Sequence, residues 1–128
     1  MKKFFPLIII AYLLYSVAGC GNNGVTDPTA GNTTFSMSQQ TGTGGAIDFL
    51  AKPSVDVKLT KVVCNLPSSA VSDTVVITTP NYTFSKDSFY IVNSYTGVQT
   101  GQQWNFVFTG TTVSGNSGFN VTSNYTVP

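Results

Sequence analysis

The stretch "QQWNFVFTG", residues 102–110, decides the fold because its residues alternate in character. Trp104, Phe106 and Phe108 occupy every second position, and the positions between them carry Gln, Asn and the less polar Val. A period of two puts successive side chains on opposite faces of a strand, so one face of this strand is apolar and the other is wetter. The stretch therefore predicts an antiparallel strand with its aromatic face in a core.

A second stretch repeats this alternation directly downstream. In "GFNVTSNYTVP", residues 118–128, the apolar positions are Phe119, Val121, Tyr125 and Val127. The Gly-, Thr- and Ser-rich residues 110–118 between the two stretches predict a hairpin.

A third stretch, "VDVKL" at residues 55–59, predicts a strand with Val55, Val57 and Leu59 inward. The following "KVVC" shifts the parity of the pattern, which predicts a β-bulge near Lys61.

Across the rest of the chain, short runs rich in Thr, Val, Ile, Phe and Tyr alternate with clusters of Gly, Pro, Asn and Ser. This pattern predicts an all-β fold, an antiparallel β-sandwich of about seven strands, with a small up-and-down β-barrel as the alternative. The predicted strands are residues 33–39, 46–51, 55–64, 73–79, 88–95, 102–109 and 118–127.

Seven short antiparallel strands within residues 33–128 resemble the immunoglobulin-like and fibronectin type III-like modules of exported bacterial proteins. The resemblance is to the strand pattern, and no specific motif carries it. A true immunoglobulin domain would have a Cys pair bracketing a Trp, whereas here Trp104 follows Cys64 and no second Cys comes after it. The wider sandwich class therefore remains the expectation.

The first residues indicate export. Lys2 and Lys3 precede the apolar run "FFPLIIIAYLLY", residues 4–15, which is shorter than the roughly 20 residues of a membrane-spanning helix. A basic start, a short apolar run and then small residues predict a cleaved signal peptide over residues 1–19. The alternative is an N-terminal anchor helix that is never cut.

The residues Val17-Ala18-Gly19-Cys20 resemble the lipobox of bacterial lipoproteins. The resemblance implies that the Cys20 thiol receives a diacylglycerol, that cleavage precedes it, and that acyl chains such as palmitate anchor the protein in a membrane. Gly21 stands where an Asp would imply retention at the inner membrane, so the resemblance implies the outer membrane. Whether the protein faces the surface or the periplasm stays open.

Residues 20–32 have no periodicity and are rich in Gly, Asn and turn formers, which predicts a flexible linker. Fully extended, about a dozen residues span at most ~40 Å. The predicted organisation is a signal peptide, this linker, and one β-sandwich domain over residues 33–128.

The composition excludes several functions. The chain has no His, and it also lacks Arg and Glu. Nucleic-acid binding requires a clustered basic surface, which this sequence does not supply. Without His or Glu, and with five Asp residues spread along the chain, we expect neither an enzyme nor a cofactor. The Ser–Lys segment "SKDS", residues 85–88, predicts a polar turn rather than a catalytic pair.

The second cysteine, Cys64, lies in an apolar strand-like run. If Cys20 is lipidated, Cys64 has no disulfide partner within the chain. Free cysteines are among the most buried residue types, so we expect an inert core thiol, with a reactive or intermolecular thiol as the alternative.

The resulting functional hypothesis is a lipid-anchored envelope protein whose domain is a non-catalytic protein-interaction or structural module. The alternative is a glycan-binding module in which aromatic rings stack on sugars. Tyr82 and Tyr95 are its predicted contacts because both lie in turn-like segments, whereas Trp104 is expected in the core. Calcium binding is a weaker hypothesis, and its ligands would come from residues near turns: Asp27, Asp48, Asp73 and Asp87.

Overall fold

The computed structural model describes residues 33–128, and the predicted signal peptide, the lipobox with Cys20 and the linker lie outside the described residues. The described chain forms seven strands and two short 3-10 turns, Thr43–Gly45 and Pro67–Ser69. The strands are β1 (Phe35–Thr41), β2 (Ile47–Pro53), β3 (Val57–Leu66), β4 (Val71–Val76), β5 (Tyr90–Tyr95), β6 (Gln103–Thr112) and β7 (Gly118–Thr126).

The strands form two sheets in which every pairing is antiparallel. One sheet has three strands in the order β1-β2-β5, and the other has four in the order β4-β3-β6-β7. The sheets are not closed into a barrel, since each keeps two edge strands. The protein is therefore an all-β sandwich, as predicted, and the alternative barrel is wrong.

Each predicted run overlaps one observed strand, but most strand ends differ. β3 begins at Val57 rather than at Val55, which lies in the preceding connection and is half-buried. β5 begins at Tyr90 rather than at residue 88 because Ser85 organises a turn before it. The Ser85 hydroxyl accepts a hydrogen bond from the Asp87 amide at 3.2 Å, and the Ser85 carbonyl accepts one from the Ser88 amide.

The predicted bulge is confirmed one residue before Lys61. The pairing of β3 with β6 shifts between Leu59 and Lys61, which leaves Thr60 as the extra residue. The Thr60 hydroxyl donates a hydrogen bond to the carbonyl of Thr109 on β6 at 3.0 Å. Because of this extra residue, Val62 and Cys64 point into the core as Leu59 does. The parts of β3 before and after the bulge therefore both contribute to the core.

The core is mainly aromatic where the sheets meet. Phe49 from β2 is fully buried and packs against Trp104 and Phe106 of β6, with ring centroids 4.9 and 5.2 Å away. Phe35 from β1 stacks on Phe108 at 3.9 Å. The predicted inward face of the stretch 102–110 is thus confirmed.

The two ends of the sandwich differ in the connections that form them. We call the end at which the described chain begins, at Thr33, the entry end; residues 54–56, 78–89 and 113–117 also lie there. The opposite end is formed by residues 42–46, 67–70 and 96–102. Among residues 33–128, no helix combines the length and apolar character needed to cross a bilayer.

The close approach of β3 and β6 at the bulge generates a stability prediction. A Cβ at Gly110 would lie 2.1 Å from the backbone carbonyl oxygen of Lys58, which cannot move without disturbing the pairing. We expect Gly110→Ala to lower the free energy of unfolding by about 1–3 kcal/mol, as overpacking typically does. Thermal unfolding followed by circular dichroism measures this loss.

The matched control is Gly118→Ala on the neighbouring strand β7. The nearest atom to a Cβ at this position is a carbonyl oxygen at 4.0 Å, an ordinary contact. The control should change the free energy of unfolding by no more than about 0.5 kcal/mol. Equal effects of the two substitutions would contradict the proposed crowding at Gly110.

Candidate functional site

An apolar groove lies between the edge strands β4 and β5. The groove exists because the chain leaves the four-stranded sheet after Ile77, whose amide donates a hydrogen bond to the Thr60 carbonyl at 2.9 Å. The chain returns at Phe84, which exchanges two backbone hydrogen bonds with Val57 at 2.8 and 3.0 Å. Between these points the edge of β3 is uncovered, and the groove reaches the core there.

Most residues that line the groove are apolar, and the exceptions are Thr78, Thr79 and Tyr90. Its floor consists of buried residues from both sheets: Phe35, Leu59, Val62 and Phe108. At the rim, Val76 is 67% exposed and Ile91 is 58% exposed. The lining includes no charged side chain, and its volume of about 240 Å³ lies below the 300–1,000 Å³ typical of small-molecule sites.

An aromatic cluster adjoins the groove on the side of the entry end. The rings of Tyr82 and Tyr90 both meet Phe84 edge-to-face, at centroid distances of 4.8 and 5.0 Å. The Tyr90 hydroxyl accepts a hydrogen bond from the Ser85 amide at 2.8 Å, which holds the connection against β5. Tyr82 is 49% exposed, as predicted, and interaction with the neighbouring Tyr90 raises its pKa.

Tyr95, the other predicted glycan contact, differs from the prediction. It is the last residue of β5, is half-buried, and lies at the opposite end from Tyr82. Its ring packs on Trp104 at 4.8 Å, and burial raises the pKa of its hydroxyl, which also donates to Asp73 at 3.1 Å. The structure does not bring Tyr82 and Tyr95 together, and the expected exposure of Tyr95 in a turn is wrong.

The other aromatic candidates lie mostly in the core. Trp104 is only 2% exposed, which confirms its predicted burial. Tyr125 is half-buried with its ring edge-to-face against Phe49. Sequence reasoning missed Phe84 and the rim residue Ile91, because their roles depend on how the connection after β4 crosses between the sheets.

Two of the described aspartates considered for calcium, Asp48 and Asp73, already have other hydrogen-bond partners. Asp48 accepts hydrogen bonds from the Ser94 hydroxyl at 2.5 Å and the Gln40 amide at 3.2 Å. Asp73 accepts from the Asn93 amide at 2.9 Å. Within residues 33–128, no three His, Cys, Asp or Glu residues form a group that could hold a metal ion. Asp27 lies outside the described residues.

A wider depression of about 460 Å³ lies at the opposite end. Its lining carries the amides of Gln102, Gln103 and Asn105 together with Thr and Ser hydroxyls. Amides and hydroxyls can bind sugar hydroxyls, but this lining offers no aromatic ring on which a sugar could stack. The apolar groove is therefore the better candidate for a binding site.

No protein-family model matches this chain, and neither a curated protein nor a solved structure matches it.

The environment of Cys64 predicts an unreactive thiol. Its side chain is fully buried on the inner face of β3. Burial raises the pKa of the thiol to about 11. A hydrogen bond with Tyr95 acts to lower this pKa, whereas the negative charge of Asp73 acts to raise it. Because the thiolate is the reactive form, we expect native Cys64 to react with iodoacetamide on the order of a hundredfold more slowly than free cysteine. Peptide mass spectrometry measures the rate at this residue.

Unfolding in urea is the control, since it should restore the rate of a free cysteine. Native labelling at that same rate would contradict the burial of Cys64 and would revive the alternative of a reactive thiol.

The contacts of Asp48 predict a pH-dependent stability. The Ser94 hydroxyl, and then the Gln40 amide, lower the pKa of this carboxyl below its usual 3.8. A lowered folded-state pKa stabilises the fold at higher pH, and this contribution is lost as the pH falls below about 3.8 towards the folded pKa. Ser94→Ala removes the hydrogen bond that lowers the Asp48 pKa most. We therefore expect this variant to lose less free energy of unfolding than the unsubstituted protein when the pH falls from about 5 to below 3.8. Urea titrations at several pH values measure this difference.

Proposed function

We propose that this chain is a lipid-anchored protein of the bacterial envelope whose sandwich is a non-catalytic protein-interaction module. The observation that carries the proposal is the apolar groove between β4 and β5, with Val76 and Ile91 exposed at its rim. Large exposed apolar groups that surround an open groove are typical of interaction sites rather than of ordinary surface.

The proposed occupant is an extended, uncharged apolar segment of another envelope protein. The groove is smaller than most small-molecule sites but has room for apolar side chains. The strands β4 and β5 on its two sides are both edge strands, so each has one side without a neighbouring strand of its sheet. A segment that pairs with such an edge gains backbone hydrogen bonds and inserts alternate side chains into the groove.

The anchor and location belong to the same proposal. They rest on the resemblance of Val17-Ala18-Gly19-Cys20 to a lipobox, with Cys20 as the lipid attachment point and Gly21 in favour of the outer membrane. Two or three acyl chains hold a protein on a membrane far more firmly than one chain does.

The non-catalytic assignment is supported by residue types and by geometry. The chain has neither His nor Glu, the commonest general acids and bases besides Asp. Among the described aspartates, Asp48 and Asp73 accept hydrogen bonds from neutral donors, which suits structural roles. The segment at residues 85–88 forms the turn described above.

The strand order supports the resemblance to the wider sandwich class rather than to antibody constant domains. In those domains the fourth strand joins the sheet of the first, second and fifth strands. Here β4 pairs with β3 instead. This placement leaves β5 as an edge strand and thereby produces the groove.

Glycan binding is a second candidate, favoured by the exposed ring of Tyr82 beside Phe84 and Tyr90. An aromatic ring that is open on one face can stack on the apolar face of a sugar. Tyr95 no longer supports this candidate, because it lies at the other end of the sandwich.

Chemical crosslinking in cells tests the leading proposal, using the full chain and its Ile91→Asp variant. We expect a reproducible adduct to one envelope protein. Its yield should fall on the order of tenfold in the variant, because an unpaired carboxylate is costly in an apolar contact. The matched control is Asn120→Asp, which adds the same charge on β7, away from the groove. An adduct that Ile91→Asp leaves unchanged would show that the groove is not the site.

Two further variants separate the other parts of the proposal. Cys20→Ala should lose partitioning into the detergent phase, and a variant that stays membrane-bound and uncleaved would overturn the lipid anchor. If no protein adduct forms and the chain co-sediments with envelope polysaccharide in a manner that Tyr82→Ala abolishes, glycan binding replaces the leading proposal.

A further inference from the structure

The charged side chains of the described residues are distributed unevenly between the two ends of the sandwich. At or beside the entry end lie three lysines and two aspartates: Lys52, Lys58, Lys86, Asp56 and Asp87. Towards the opposite end lie two aspartates and no lysine: Asp48 and Asp73. The remaining lysine, Lys61, sits midway along β3. The entry end is therefore the more positive end of a nearly neutral domain.

The same end exposes large apolar side chains. Tyr82, Phe89 and Val113 are 49%, 46% and 44% exposed, and each belongs to a connection at this end. The ammonium group of Lys52 lies 5.1 Å from the centre of the Phe89 ring. Aromatic rings beside lysines form the side-chain combination that favours the boundary between lipid headgroups and acyl chains.

The chain also enters the described domain at this end. The Thr34 amide donates to the Ser54 hydroxyl at 3.0 Å, and Phe35 pairs with Pro53 at the last position of β2. The dozen residues 21–32, which precede the described part, can span at most ~40 Å. A lipid on Cys20 would therefore keep the entry end close to the bilayer, where an effective concentration in the millimolar range makes a weak contact sufficient.

We propose that the entry end docks on the anionic lipid surface of the membrane that holds the anchor. The inference rests on the proposed lipid anchor at Cys20. In this arrangement Tyr82, Phe89 and Val113 enter the headgroup region, and the lysines around them lie near lipid phosphates. The occupant is a lipid surface rather than a protein, because an excess of lysine over aspartate, exposed rings and the linker attachment coincide at one end.

The inference also assigns an orientation to the groove. Docking at the entry end holds the strands away from the membrane and leaves the groove on the side of the domain. The aromatic cluster at Tyr82 would then lie at the level of the headgroups, with Val76 and Ile91 above it. A partner anchored in the same membrane could reach the groove from the side.

Site-specific fluorescence on the lipidated full chain tests this inference. The chain is purified from membranes and reconstituted into vesicles of phosphatidylethanolamine and phosphatidylglycerol in equal amounts. An environment-sensitive label is attached through Ser88→Cys at the entry end or, as the control, through Ser69→Cys at the opposite end; both positions are exposed. Lipids with a spin-labelled headgroup serve as the quencher.

We expect strong quenching at position 88 and little at position 69. Substitution of Lys52 and Lys86 by Gln should lower the ratio of docked to undocked domain on the order of tenfold, because each lysine near an anionic surface favours binding. High salt should act in the same direction, since it shortens the range of the attraction.

A pair of apolar substitutions provides a matched comparison. Phe89→Ser removes an exposed apolar group at the entry end, whereas Ile91→Ser removes one at the groove. The inference requires that only the first reduces quenching at position 88. Circular dichroism establishes that both variants are folded.

Three outcomes would overturn the inference. One is equal quenching at the two labels, and another is equal effects of Phe89→Ser and Ile91→Ser. The third is a change at position 88 that depends on protein concentration and not on the quencher lipid, which would indicate pairing of two copies. In all three cases a lipidated mass at Cys20 leaves the proposed anchor intact, whereas an unmodified mass overturns the anchor and this inference with it.

Discussion

The contact between β6 and two rings of the three-stranded sheet is the interaction on which the rest of the structure depends. Trp104, Phe106 and Phe108 face the core from one strand, and Phe49 and Phe35 meet them from the other sheet. β6 pairs with β3 on one side and with β7 on the other, so it also fixes the register of the four-stranded sheet. Truncation of a buried Phe typically costs about 3–5 kcal/mol, a large share of the stability of a small domain.

The parts of the fold that the sequence predicts are the strands whose side chains alternate between the core and solvent, as those of β6 do. A strand with one wet face leaves a period of two in the sequence, and β6 and β7 both show it. The bulge was predictable for the same reason, because an extra residue at Thr60 reverses the parity of β3. Strand ends were less predictable, since β5 begins where a turn around Ser85 stops rather than where the apolar pattern starts.

The candidate site was less predictable because no single strand contains it. Tyr95 looks exposed in the sequence, where Thr and Gly follow it, yet its ring lies over Trp104 from the other sheet. Ile91 looks like a core residue in a β-strand, yet it is 58% exposed. The first difference arises from how the two sheets face each other, and the second arises because Ile91 lies on the outer face of the edge strand β5.

The groove and the charged end can be understood together as consequences of one crossing. After Val76 the chain leaves the four-stranded sheet, passes through the entry end, and starts β5 in the other sheet. This crossing leaves the edge of β3 open as a groove, and it places Tyr82, Lys86 and Phe89 in a connection rather than in a strand. In a connection, these rings and this lysine need not alternate between the core and solvent. In a continuation of β4, every second side chain would have to face the core. If both proposals hold, the connection between β4 and β5 contributes to two contacts. Its residues at the entry end face the lipid surface, and its residues beside the groove face a protein partner.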